Sequence, residues 1–157
     1  MWELLQNAEW VTAIATSRPL YGFVSVVHYS AVFFCVGTIV LLDLRILGLA
    51  DRHDALAALA EQLRPWTWIG LASVVISGFL LFATQAAGFA AATPFRIKVL
   101  IVVLAIGSAV AVEWRVARWD RAPVIPPAAR VVALISILLW LGALLASVEI
   151  PALTGLG

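Results

Sequence analysis

The sequence predicts an all-α integral membrane protein, a bundle of four spanning helices with short interfacial helices at the N-terminus and between the first two spans. Three observations carry this reading. The 157-residue chain is 64% hydrophobic and 12% charged, against about 25% charged in a soluble domain, and its mean hydropathy is +1.06. Its apolar residues fall into four runs of about 20, each long enough to cross hydrocarbon about 30 Å thick. Each run is opened by a proline or a cap, and a proline's missing N–H costs nothing at a helix start. The length allows a single domain, 1–157.

The elements follow in order. Trp2 to Thr16 has mixed polarity with Trp2 and Trp10, which suits an interfacial helix at a headgroup boundary. The first span opens at Ser17-Arg18-Pro19 and covers about 19–48. Asp54 to Arg64 places Leu56, Leu59 and Leu63 on one stripe behind Asp54 as cap, which predicts a second surface-lying helix. The second span opens at Arg64-Pro65-Trp66 and covers about 66–88. The third, about 95–114, opens at Thr93-Pro94 and fades at Glu113-Trp114-Arg115. The fourth, about 127–149, opens at Pro126-Pro127 and reaches Glu149-Ile150-Pro151. No cleavable signal peptide is expected, because Trp2-Glu3 supplies no basic region before an apolar stretch. Small residues four apart, such as Ser73 and Ser77, Ala105 and Ala109, and Gly142 and Ala146, mark faces where helices approach closely. Gly37, Gly107 and Gly142 suit contacts within one protomer or between two.

Basic residues set the orientation. Arg45, Arg52, Arg64, Arg115, Arg118, Arg121 and Arg130 fall on one side, and Arg18, Arg96 and Lys98 on the other, seven against three. The positive-inside rule makes the seven-arginine side cytoplasmic, with both termini outside. Trp66, Trp68, Trp114 and Trp119 read as an inner aromatic belt. The formal net charge of +1 gives no argument for nucleic acid. The lone cysteine, Cys35, excludes an intrachain disulfide and a cysteine-based zinc site.

Polar residues inside apolar spans carry the chemistry, because each is costly in hydrocarbon. His28 lies about 12 Å below the outer surface, counting about 1.5 Å per residue from Leu20. Ser77, Gly78, Leu104 and Trp140 fall at a similar depth, and none is a second histidine. His53, the other histidine, belongs to the cytoplasmic loop, so bis-histidine haem ligation is not expected within one protomer, though two protomers could each supply His28. Two readings of His28 stand side by side. It binds b-type haem or a quinone, with Gly78 leaving room for a flat macrocycle, His28 the only metal ligand, and Arg96 and Lys98 holding the anionic rim. Otherwise it hydrogen-bonds Ser77 or a backbone carbonyl and fastens two helices. For Arg96 and Lys98 the plainer roles are snorkelling to headgroups or pairing with Glu149. Tyr21, Thr84 and Gln85 line the same mouth. At the other end Asp43 and Arg45 meet Glu113, Arg115 and Arg118, which predicts a structural ion-pair network. Copper is disfavoured because Met1 is the only methionine and no soft-ligand cluster exists.

Several stretches together carry a resemblance: Ser17 to Tyr29 leading into the histidine, Gly37-Thr38, Leu42-Asp43-Leu44-Arg45, Leu63-Arg64-Pro65-Trp66-Thr67, Ser77-Gly78-Phe79-Leu80, Phe95-Arg96-Ile97-Lys98, and Trp119-Asp120 followed by Pro126 to Arg130. Over nearly its whole length the chain resembles an uncharacterised family of small four-span bacterial inner-membrane proteins. Through its first-helix histidine and the aromatic-and-lysine start of its third helix, it is also distantly similar to the copper-resistance protein D and membrane protoporphyrinogen oxidase bundles. The resemblance implies haem, porphyrin or copper traffic and a further histidine late in the third helix. Here that place reads Val112-Glu113-Trp114, so a site needing that imidazole lacks it. Two functions are therefore expected in parallel: a haem- or quinone-binding redox protein, or a non-catalytic scaffold or accessory subunit of a larger membrane complex or homodimer.

Overall fold

The computed structural model describes residues 1–50 and 55–155. Among them are seven helices: α1 (Trp2–Gln6), α2 (Glu9–Thr16), α3 (Arg18–Leu47), α4 (Leu56–Thr84), α5 (Ala86–Ala91), α6 (Thr93–Asp120) and α7 (Pro127–Thr154). The helices α3, α4, α6 and α7 are each long and apolar enough to cross a membrane, and they pack into an all-α four-helix bundle of the multi-pass kind. Its halves are the antiparallel hairpins α3/α4 and α6/α7, joined chiefly where α3 meets α7 and more lightly where α4 meets α6.

The second and third spans start or end well beyond where hydropathy indicates. At about 1.5 Å per residue, the 29 residues of α4 and the 28 of α6 each exceed about 40 Å, beyond about 30 Å of hydrocarbon. Their excess gathers at the end opposite the chain termini, here called the arginine-rich end. There Leu42 and Ile46 of α3, Leu56 and Ala60 of α4, and Val112, Val116 and Trp119 of α6 form one buried cluster with Ala129 and Ala133 of α7. A second cluster lies further into the bundle, around Cys35, Ile39, Leu71, Ala105 and Trp140.

The arginine-rich cluster corrects three sequence expectations. No separate surface-lying helix precedes the second span: α4 runs unbroken from Leu56 through Pro65. The stripe of Leu56, Leu59 and Leu63 exists, but it packs on the bundle rather than on the bilayer surface. Burying one leucine contributes about 1.5–3 kcal/mol. With Leu56 buried and its two neighbours packed beside it, the stripe offsets the about 3 kcal/mol that an interior proline costs. Second, α6 does not fade at Arg115 but continues to Asp120, because Val116 and Trp119 are buried. Third, Trp119 therefore belongs to this core, while Trp66, Trp68 and Trp114 stay exposed as expected of a belt. His53 and the expected cap Asp54 lie outside the described residues; the Leu56 N–H is instead capped by Asp120 Oδ1 from α6, at 2.8 Å.

Local signals close the remaining ends. A Schellman motif terminates α3: Gly48 takes φ 80°, and the Gly48 and Leu49 amides donate to Arg45 and Leu44 carbonyls. The N-terminal segment forms two short helices rather than one. Trp2 meets Phe82 edge-on with centroids 5.5 Å apart, and Trp10 stacks on Phe79. Gln6 Oε1 accepts the Ala87 N–H at 3.1 Å, tying α1 to α5. The second span is also shorter at this end than expected, since α4 stops at Thr84 and α5 follows as a separate turn.

One contact sets the distance between α3 and α4. A Cβ placed on Gly70 meets Cys35 Cβ at 3.0 Å and Cys35 Cα at 3.2 Å, so the helices touch backbone to side chain there. Gly70→Ala is expected to force them apart at a cost of about 1–3 kcal/mol, read as a lower thermal unfolding midpoint in detergent. Asp120→Ala is expected to cost about 1 kcal/mol through the lost cap; an unchanged midpoint would show that Asp120 does not hold α4.

Candidate functional site

His28 lies on the face of α3 that carries Val24, Ala31 and Cys35, all buried. That face meets α4, and the imidazole reaches Ser77 and Gly78. His28 Nδ1 is 3.0 Å from Ser77 Oγ. The Ser77 hydroxyl already donates to the Ser73 carbonyl, one turn back, so its oxygen is the acceptor and Nδ1 carries the proton. The imidazole also reaches the Val74 backbone carbonyl, one turn before Gly78. The ring edge also lies against Gly78, where an added Cβ would stand 3.0 Å from His28 Cε1.

Lys98 is half-buried near the start of α6 and lies within electrostatic reach of the imidazole. The structure thus brings together His28, Ser77, Gly78 and Lys98, four residues the sequence placed at one end of the bundle. Arg96 is not part of that group. Its Nε donates to the Ala90 carbonyl at 2.8 Å, so it closes the turn between α5 and α6. Glu149 is exposed, and no ion pair among the described residues joins it to Arg96 or Lys98. Thr84 is buried with its hydroxyl turned to the Leu81 carbonyl, which leaves it no part in a mouth.

Space decides what this site can hold. Gly78 leaves no slot for a macrocycle, because the His28 ring itself fills the space above it. A groove beside Ser77, between α3 and α4, has a volume of about 230 Å³ and is lined by apolar side chains with Ser73 and Ser77. It falls below the about 300–1,000 Å³ of ordinary ligand sites, and His28 does not line it. With a single imidazole packed edge-on against a helix, these residues do not fit a haem.

The arginine-rich end departs further from expectation. Glu113 of α6 pairs with Arg64 of α4, a residue the sequence reading left out of the ion-pair network. Arg115 is exposed and shares no ion pair with Glu113 or Asp43, and Arg45 occupies the last turn of α3. Asp43 is not an interfacial ion-pair member at all: it is 1% exposed and its Oδ2 has no hydrogen-bond partner. The reason is angular. Asp43 falls on the same inward stripe as Ile39, Leu42 and Ile46, so the helix turns its carboxyl into the bundle. Beside it a small cavity of about 20 Å³ lies between α3, α4 and α6. Thr38 and Thr67 line it, and their hydroxyls are 2.9 Å apart across the α3/α4 seam. Ser136, fully buried on α7, lies beside Asp43. Sequence reasoning passed over Ser136, although a lone hydroxyl within the run Ala133 to Trp140 was its available signal.

The fastening at His28 yields a cycle that can be measured. Gly78→Ala in the native background is expected to lower stability by about 1–3 kcal/mol by overpacking against the imidazole. His28→Ala removes a hydrogen bond worth about 0.6 kcal/mol in a membrane interior, and in that background Gly78→Ala becomes close to neutral. Additive single and double variants in detergent unfolding would show that the two residues do not interlock.

No protein-family model, no curated protein and no solved structure matches the chain.

Proposed function

We propose that this protein is a non-catalytic scaffold or accessory subunit of a membrane complex, in the bacterial cytoplasmic membrane with both termini on the outer side. The observation that carries the reading is the interlock of His28 with Ser77 and Gly78. Its intramembrane imidazole spends a ring N–H and a packing edge on fastening α3 to α4. The seven-to-three distribution of basic residues supports the orientation.

The surface of the bundle supports an assembly role. Only 11% of the most apolar stretch of α6 is buried within the chain, against 33% for α3. Exposed Ile97, Leu100, Val103 and Leu104 make this face apolar, and Gly107 on the same helix has open space where a Cβ would stand. Such a face suits lipid and, at the glycine, close approach of another helix.

Purified wild-type protein from cells supplied with a haem precursor is expected to be colourless, oxidised or dithionite-reduced, and to run in mild detergent as a dimer or with a larger membrane partner. A Soret band that disappears in His28→Ala would overturn the scaffold reading in favour of a haem protein. A colourless monomer in a native-membrane extract, without cross-linked neighbours, would remove the assembly role.

A further inference from the structure

Within the described residues, Asp43 Oδ2 is a buried side-chain oxygen with no hydrogen-bond partner. From α7 the Ser136 hydroxyl is turned toward the Asp43 carboxyl, and both side chains are at most 1% exposed. A buried carboxylate lacking a counter-charge is among the costliest groups a fold can hold. Asp43 also lines the cavity of about 20 Å³ between α3, α4 and α6, large enough for one water-sized occupant.

The surrounding charges identify what is missing. From α4 the cavity is faced by Arg64 and from α6 by Glu113, and these two pair with each other and cancel. On α7 the neighbour is the uncharged Ser136, while Arg130 and Glu149 of that helix are exposed. On α3 itself Arg45 follows Asp43 by two residues, about 200° around the helix and so on another side. Among the described residues no ion pair reaches Asp43, and Thr38 and Thr67 line the same cavity as its carboxyl, with Ser136 beside it from α7. Oxygen ligands suit hard cations, and a single carboxylate balances a single positive charge. Among the described residues no group of three His, Cys, Asp or Glu side chains exists to hold a multivalent metal.

We propose that Asp43 anchors a binding site for one small monovalent cation, a proton or a sodium ion, which enters from the arginine-rich end past the Arg64–Glu113 pair. Both ions bring the same single positive charge to the carboxyl, and both fit a water-sized space. The site is separate from His28, about 15 residues and hence about 22 Å away along α3, and does not depend on the scaffold reading.

Infrared difference spectroscopy on full-length protein in proteoliposomes tests this, with wild type compared against Asp43→Asn. A carboxylic-acid C=O band that is lost as pH rises, and is absent from Asp43→Asn, supports a bound proton. Loss of that band at constant pH on adding sodium, but not potassium or choline, supports a sodium ion. If Asp43→Asn fails to fold, Thr67→Val keeps the carboxyl and removes a cavity oxygen; it is expected to shift the midpoint of the proton or sodium response several-fold. The proposal is overturned if no pH- or sodium-dependent carboxyl band is lost with Asp43, or, where only Thr67→Val folds, if its response equals that of the wild type.

Discussion

The closeness of α3 to α4 is the constraint on which the rest of the structure depends. Lipid supplies no hydrophobic drive between helices, so a membrane bundle is held by van der Waals contact and by hydrogen bonds hidden from water. Here both depend on missing side chains. Gly70 lets α4 come within contact of the α3 backbone at Cys35, and only at that separation do Thr67 and Thr38 reach each other, at 2.9 Å. Two turns further along α4, Gly78 admits the imidazole that bonds Ser77. Steric absence at two glycines and polar pairing at two hydroxyls alternate along one seam.

The opposite hairpin and the helix ends are positioned by different physics. At the arginine-rich end the helices outrun the hydrocarbon, and burial of apolar side chains from water becomes available again. Leu56, Ile46, Val116 and Trp119 use it to build a small core, and that core carries α4 through Pro65 without a break. The same extension lets Asp120 of α6 reach the first amide of α4 and lets Glu113 reach Arg64. A span that ended where its hydropathy ends would make none of these contacts.

Two intramembrane ionisable groups thus meet opposite fates. His28 finds an acceptor whose own proton is committed elsewhere, and its ring is clasped by a glycine; its polarity is consumed by the fold. Asp43 is turned inward by its place on the helix stripe, beside a serine and a small cavity, and its oxygen is left without a protein partner. One group explains how the bundle holds together, and the other marks where it can respond to its surroundings.

Much of this was legible in the sequence because it follows from composition and period. Four apolar runs opened by Pro19, Pro65, Pro94 and Pro127 define the number of spans and the all-α class, and the depth of His28 places Ser77 and Gly78 beside it by counting alone. The tertiary structure decided everything that depends on rotation about a helix axis or on packing beyond the membrane. Hydropathy registers transfer into lipid, so it could not show that α4 begins at Leu56 or that α6 lasts to Asp120, where water-driven burial does the holding. Nor does a one-dimensional pattern distinguish Asp43 at an interface from Asp43 inside the bundle. Depth is common to both, and only the packing of α3 against α4, α6 and α7 determines which way the carboxyl faces.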